Sequence, residues 1–112
     1  MLISAANDAN LDHLLPPLRA LADPLRLRIV HLLARESLCT CHIVEATGAR
    51  QTNVSNHLRQ LRDAGLVHAE PRGRFTYYRL DTDAVRALGA ELTGLADAAD
   101  QSGDHDIPRT CP

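Results

Sequence analysis

Gln51-Thr52-Asn53-Val54-Ser55-Asn56-His57-Leu58-Arg59-Gln60-Leu61-Arg62-Asp63-Ala64-Gly65-Leu66 is the stretch that decides the fold of this 112-residue chain. Val54, Leu58 and Leu61 recur at i, i+4 and i+7, the repeat of one buried helical stripe, and Gly65 supplies a stop. The spacing predicts a helix from about 51 to 64. With that stripe turned inward, Thr52, Asn53, Asn56, Arg59 and Gln60 point away from the core, and Ser55 and His57 lie on the flanks. Amide, hydroxyl and guanidinium groups on one outward face are the groups that read base edges and grip phosphate in a major groove. A polar face alone more often just meets water, so the neighbouring elements decide the matter.

Upstream, Thr40 is placed to cap a short helix over Cys41–Thr47, which Gly48 stops. Two short helices joined by a tight glycine-containing turn form a helix-turn-helix pattern. Downstream, 66–70 and 74–80 read as two β-like runs with Pro71-Arg72-Gly73 turning between them, the hairpin of a wing. Asp23-Pro24 pairs an N-cap with a first-turn proline and opens a helix whose stripe is Leu25, Ile29, Leu32 and Leu33, followed by a turn at 36–38. Leu11, Leu14, Leu15, Leu18 and Leu21 have helical spacing, with a helix that starts or bends at Pro16-Pro17. Asp81 or Asp83 opens a last helix with the stripe Val85, Leu88, Leu92 and Leu95, running to about Asp100. The expected architecture is mainly α with a small β-hairpin: a winged helix-turn-helix of five helices plus wing, homodimeric. Residues 1–10 read as a flexible arm, 11–100 as the domain with terminal dimerisation helices, and 101–112 as a flexible tail. Both outer stripes are more apolar than one small domain needs, which suits burial across a two-fold axis.

Three aromatic residues and no tryptophan leave the packing to aliphatic side chains, in keeping with helix-on-helix architecture. The N-terminus lacks a basic start followed by an apolar run, and no segment approaches a membrane-spanning length. Three cysteines, an odd number, do not make a disulfide framework, so a cytoplasmic protein with reduced thiols is expected. The net charge of -2 argues against nucleic acid until its distribution is examined. Between 50 and 79, six arginines face only Asp63 and Glu70, a local +4; from 81 to 106, seven acids face only Arg86, a local -6. A basic middle and an acidic end suit one DNA-facing and one DNA-averted surface.

The candidate DNA contacts are therefore Gln51, Thr52, Asn53, Ser55 and Asn56 nearest the bases, with His57 and Arg59 beside them and Arg72 and Arg74 at the wing tip. Just ahead of this reader lies Cys39-Thr40-Cys41. Two half-buried cysteines can serve merely as small apolar residues. As ligands, however, thiolates select soft ions: As(III), Sb(III), Cd(II), Pb(II), Zn(II) and Cu(I). Cys41 in the first turn of a helix is placed for a lowered thiol pKa. Residues i and i+2 inside a helix point about 200° apart, so ligation is expected to unwind or re-aim the start of that helix. A trivalent metalloid takes three thiolates, and Cys111 in the tail is the candidate third; His42 and His105 are further candidates. His13, His31 and His68 lack partners at helical spacing and are assigned to packing or solvent contact. A Cys39–Cys41 disulfide as a redox switch is an alternative use. No C-x-x-C and no glycine-rich anion loop accompanies Cys39, which argues against an enzyme.

The segments ALADPLRLRIVHLL (20–33), LCTCHI (38–43), TNVSNHLRQLRDAGLV (52–67) and RGRFTYYRL (72–80), in that order, resemble the ArsR/SmtB family of metal-responsive winged-helix repressors over roughly 18–80. Ser55, His57 and Leu58 match the family's S-x-H-L core; Arg50 departs from it, where many members carry a small polar N-cap. The resemblance implies a homodimeric repressor on an imperfectly palindromic operator, released when As(III) or Sb(III) binds Cys39 and Cys41. A Cd(II)/Pb(II) sensor of the same fold is the alternative within the family. A second family site, Asp and His on the last helix, has no counterpart, because 81–100 contains no histidine.

Overall fold

In the computed structural model, residues 11–102 and 108–112 are described. The arm assigned to 1–10, His105 and the middle of the tail lie outside them. A 3-10 turn, Asp12–Leu14, runs directly into α1 (Leu15–Leu21), so the helix does not wait for Pro16. Pro16 and Pro17 occupy its first turn, where missing N–H groups leave no hydrogen bond unmade. α2 (Pro24–Leu33) is capped by the Asp23 carboxylate, which accepts from the N–H groups of Leu25 at 2.9 Å and Arg26 at 3.0 Å. α3 (Thr40–Thr47) and α4 (Gln51–Asp63) form the helix-turn-helix, and α5 (Thr82–Gln101) opens at Asp81, whose side chain accepts from the Ala84 N–H at 2.9 Å. Gly48 ends α3 at φ 72°, a left-handed conformation that strains any residue with a Cβ, and so sets the turn before α4.

The wing is a sheet of three strands rather than a bare hairpin. β2 (Val67–Arg72) pairs with β3 (Phe75–Leu80), and a two-residue strand β1 (Leu38–Cys39) adds to the far side of β3, in the order β1-β3-β2. Segment 36–38, read as a turn, thus ends in strand. Pro71 and Arg72 belong to β2, paired with Thr76 and Phe75, and the turn narrows to Gly73-Arg74. Gly73, at φ 62°, takes the first central position that a two-residue hairpin loop reserves for positive φ. Pro71 is tolerated because β2 is an edge strand with no neighbour to receive a missing N–H.

The core gathers Ile29 of α2, Ile43 of α3, Val54, Leu58 and Leu61 of α4, and Leu66 and Val67 leading into the wing, all essentially sealed from solvent. The stripe that predicted α4 is thus the stripe that docks it. By contrast Leu11, Leu15 and Leu18 near α1, and Val85, Leu92 and Leu95 on α5, are exposed, with Leu95 at 64%. Of the α5 stripe only Leu88 is buried.

Candidate metal site and nucleic-acid interface

Cys39, not Thr40, is the N-cap of α3. The reason is long-range: Cys39 pairs with Tyr77 across β1 and β3, and this holds its backbone extended (φ -85°, ψ 168°), so Cys39 serves as the cap and the helix begins at Thr40, one residue earlier than expected. Cys39 is buried at 4% exposure while Cys41, in the first turn, is exposed. Their sulfurs are joined as a disulfide, with the Cα atoms 5.4 Å apart. This corrects two expectations. Neither thiol is free, and the two sulfurs converge with α3 intact, because only Cys41 lies inside the helix. The two sulfurs can therefore meet without unwinding of the helix.

His42 completes the group. Its Nδ1 accepts the Cys39 N–H at 3.2 Å and lies 3.3 Å from Cys39 Sγ, while the Cys39 sulfur faces the His42 backbone N–H in return, a capping box in which a disulfide sulfur stands for the usual hydroxyl. One donor atom each from Cys39, Cys41 and His42 lies within 4.8 Å of the others, the reach of a single ion. The His42 ring packs against Tyr77 at 6.0 Å between centroids, tilted by 60°. Above the same Tyr77 ring, 5.5 Å from its centroid, sits the guanidinium of Arg72, which also donates to Glu70 Oε2 at 2.8 and 3.1 Å. Cys111 is an exposed free thiol outside the group.

Of the residues expected to contact DNA, Gln51, Thr52, Asn53, Ser55, Asn56 and Arg59 are all exposed on α4, and Arg72 and Arg74 are exposed on the wing. Arg50 caps α4 without a side-chain hydrogen bond. First-turn N–H groups left without a cap are free to meet a phosphate. His57 is half-buried, and its Nδ1 lies 3.0 Å from Arg26 Nη1, which also donates to Gln60 Oε1 at 2.8 Å. The Arg26 Nε donates to the Ala20 carbonyl at 2.7 Å. One arginine thus ties α1, α2 and α4 together and fixes how α4 is presented. Arg26 was not singled out from sequence, because its partners lie up to 34 residues away.

A cleft of about 270 Å3 joins the two halves: Cys39 and Cys41 line it together with Gln51 at the start of α4 and Arg74, Phe75 and Tyr78 of the wing. Elsewhere, two histidines have partners that helical spacing did not suggest. His13 Nε2 lies 3.3 Å from Glu91 Oε1 on α5, and His68 Nε2 lies 2.7 Å from Asp81 Oδ2. The N–H of Ala84, followed by the His68 ring, holds the Asp81 carboxyl below the usual carboxylate range, and the Arg26 N–H is the largest cause of the same direction at Asp23.

Comparison with known proteins gives a consistent result. The profile described as bacterial regulatory protein, arsR family, matches residues 23–69. The arsenic resistance transcriptional regulator ArsR1 of Pseudomonas putida is 40% identical over 88 residues, 76% of this chain and 69% of that protein. The arsenical resistance operon repressor of Bacillus subtilis is 38% identical over 74 residues, 65% of this chain and 70% of that one. Among solved structures, a homodimeric winged helix-turn-helix DNA-binding domain from Mycobacterium bovis superposes with a TM-score of 0.67 at 33% identity, covering 93% of this chain and 94% of its own.

Proposed function

The chain belongs to the arsR family of bacterial regulators, and from that premise we propose that it is a homodimeric cytoplasmic repressor that leaves its operator when Cys39 and Cys41 take up As(III) or Sb(III). A member of a family of DNA-binding transcriptional regulators is not an enzyme. Among the described residues no helix is long and apolar enough to cross a membrane.

One observation carries the reading: the thiols open onto the same cleft as Gln51 and Arg74. In the reduced protein a soft ion held by Cys39 and Cys41 lies against the first turn of the reading helix and the tip of the wing. Any shift there moves both DNA-contacting elements relative to each other. The ion then binds the DNA-free arrangement better than the DNA-bound one, and by linkage DNA binds the ion-loaded protein less well, with couplings of about 5- to 150-fold typical of such systems. For a metalloid that takes three thiolates, the third is assigned to Cys111 of the same or the partner subunit. Dimerisation through the exposed stripes of α1 and α5 presents two reading helices to two half-sites, hence an imperfect palindrome. Gln51, Thr52, Asn53, Ser55, Asn56 and Arg59 meet the bases and nearby phosphates, His57 supports them through Arg26, and Arg72 and Arg74 reach the backbone.

The Cys39–Cys41 disulfide supports a second reading, a redox-sensing repressor. There the two thiols give up two electrons and two protons to a peroxide, which is reduced to water. Fluorescence anisotropy on DNA from upstream of the chain's own gene, with As(III), Cd(II) and peroxide in parallel, separates the two. The metal reading expects As(III) to release the wild-type protein and to leave Cys39→Ser/Cys41→Ser bound at unchanged basal affinity. Release of the double variant by As(III) refutes it.

A further inference from the structure

We propose that the cleft between α1 and α4 seats one backbone phosphodiester at the rim of the DNA groove, held by Arg19, Arg26 and Gln60. It rests on the DNA-binding reading above and adds a point of attachment made by α1 and α2, away from the wing. The cleft measures about 280 Å3, and Arg19, Arg26, Gln60 and Asp63 form its polar lining. Two of its donors are already aimed by bonds within the chain. Arg26 donates from Nε to the Ala20 carbonyl and from Nη1 to Gln60 Oε1, with His57 Nδ1 beside it. Among the described residues its Nη2 meets no acceptor, so the guanidinium is held in place with two N–H groups unused. Gln60 accepts through its carbonyl oxygen, which leaves its amide nitrogen to donate. Arg19 is exposed and ion-paired with none of the described residues.

Donors gathered without an acceptor suit an oxyanion, and the charge says which one. Two guanidiniums against the Asp63 carboxylate leave the lining at +1 (+2 − 1). Asp23 lies outside the lining, where it caps α2. A phosphodiester carries a single negative charge, whereas a phosphate monoester carries about −1.5 to −2 near neutral pH and would set the excess against Asp63. The balance selects the diester. Position agrees with charge. Asn53, Asn56 and Gln60 are exposed on one face of α4, at i, i+3 and i+7. From Asn53 to Gln60 the helix axis rises about 10 Å, close to the major-groove width of about 12 Å. With the start of α4 among the bases, Gln60 and the cleft beside it come to the groove's rim, where the backbone passes. The guanidinium that seats the phosphate is also the one beside His57, so backbone contact and the pose of α4 are joined at one side chain.

The test is a methylphosphonate scan with the full-length protein. The duplex from upstream of the chain's own gene carries one neutral methylphosphonate at a time, and anisotropy reads the affinity of the wild type and of Arg19→Ala. Arg19 is exposed and has no side-chain partner among the described residues, so the fold does not depend on it. The wild type should lose about tenfold at one backbone position in each half-site, the loss of a charge-assisted hydrogen bond. In Arg19→Ala the loss at that position should shrink to about threefold or less, while every other sensitive position keeps its full effect. Asp63→Asn, which takes the lining from +1 to +2, should tighten DNA binding by about threefold. Exchange of chloride for inorganic phosphate at constant ionic strength should leave the affinity ratio of wild type to Arg19→Ala unchanged. Selective weakening of the wild type by inorganic phosphate means that a free oxyanion takes the cleft, and overturns the diester. The same methylphosphonate pattern in Arg19→Ala as in the wild type overturns the seat and leaves the repressor reading standing. No binding of the wild type to any upstream duplex overturns both.

Discussion

Replacing Arg26 by Met keeps an apolar stem of similar length and removes three hydrogen bonds at once. Their partners differ in what they can do afterwards. The Ala20 carbonyl, accepting at 2.7 Å, belongs to a residue that is 6% exposed and has little water to turn to. A hydrogen bond to a charged donor contributes about 1.5–3 kcal/mol net, and this one should be lost nearly in full. Gln60 is exposed and His57 half-buried, so both can hydrate, and each should add only about a few tenths of a kcal/mol. The expected loss is about 2 kcal/mol. Urea unfolding followed by circular dichroism at fixed dimer concentration should show the midpoint falling by about 1 M at the slopes usual for small proteins. A double-mutant cycle with Gln60→Ala should return a coupling of only about a few tenths of a kcal/mol. In anisotropy, inducer-free DNA affinity should fall as well, because the reading helix loses its tether to α1 and α2. A stability loss within about 0.5 kcal/mol, the range of an ordinary surface change, would refute the reasoning.

Three further outcomes follow from the same geometry. Leu95→Glu places a charge on a residue that is 64% exposed in the single chain, and sedimentation velocity should show monomers and weakened operator binding if α5 pairs across the two-fold axis. Arg74→Ala should weaken DNA binding at all sequences alike and reduce the slope of log affinity against log salt by about one per chain, whereas a change confined to one operator position would place Arg74 on a base instead. The carboxyls of Asp23 and Asp81 titrate below their unfolded values, so their stabilisation is complete above about pH 4 and is lost as pH falls through the folded values. Thermal melts from pH 6 to pH 2 should therefore decline at the acid end, and less so in Asp81→Asn.

Much of the fold could be read from local pattern. Val54, Leu58 and Leu61 predicted both the existence and the orientation of α4, Asp23 caps the helix it was expected to open, and of the two candidates for the last helix Asp81, not Asp83, is the cap. What escaped is what depends on partners far along the chain. β1 is two residues long, too short for any alternation, and exists only because β3 is there to receive it. That pairing moved the start of α3 by one residue, exchanged Thr40 for Cys39 at the cap, and so reversed the argument about how two cysteines at i, i+2 meet. His42 was named only as a further ligand candidate; its capping role also had a local signal, since it stands three residues after the cap where a capping box places its returning side chain, but a cysteine at the cap concealed it. The contacts of Arg26 and Tyr77 had no such signal, because each joins elements through tertiary packing alone.

The two edges of the small sheet have a consequence for assembly. An open edge is a template for strand addition, the common route by which β-proteins join into fibres or swapped pairs. Here one edge is the two-residue β1, and the other, β2, carries Pro71, which has no N–H to offer a newcomer. Neither edge invites continuation, so copies of this chain are steered to meet through their helices, and the hairpins are left unencumbered at the periphery.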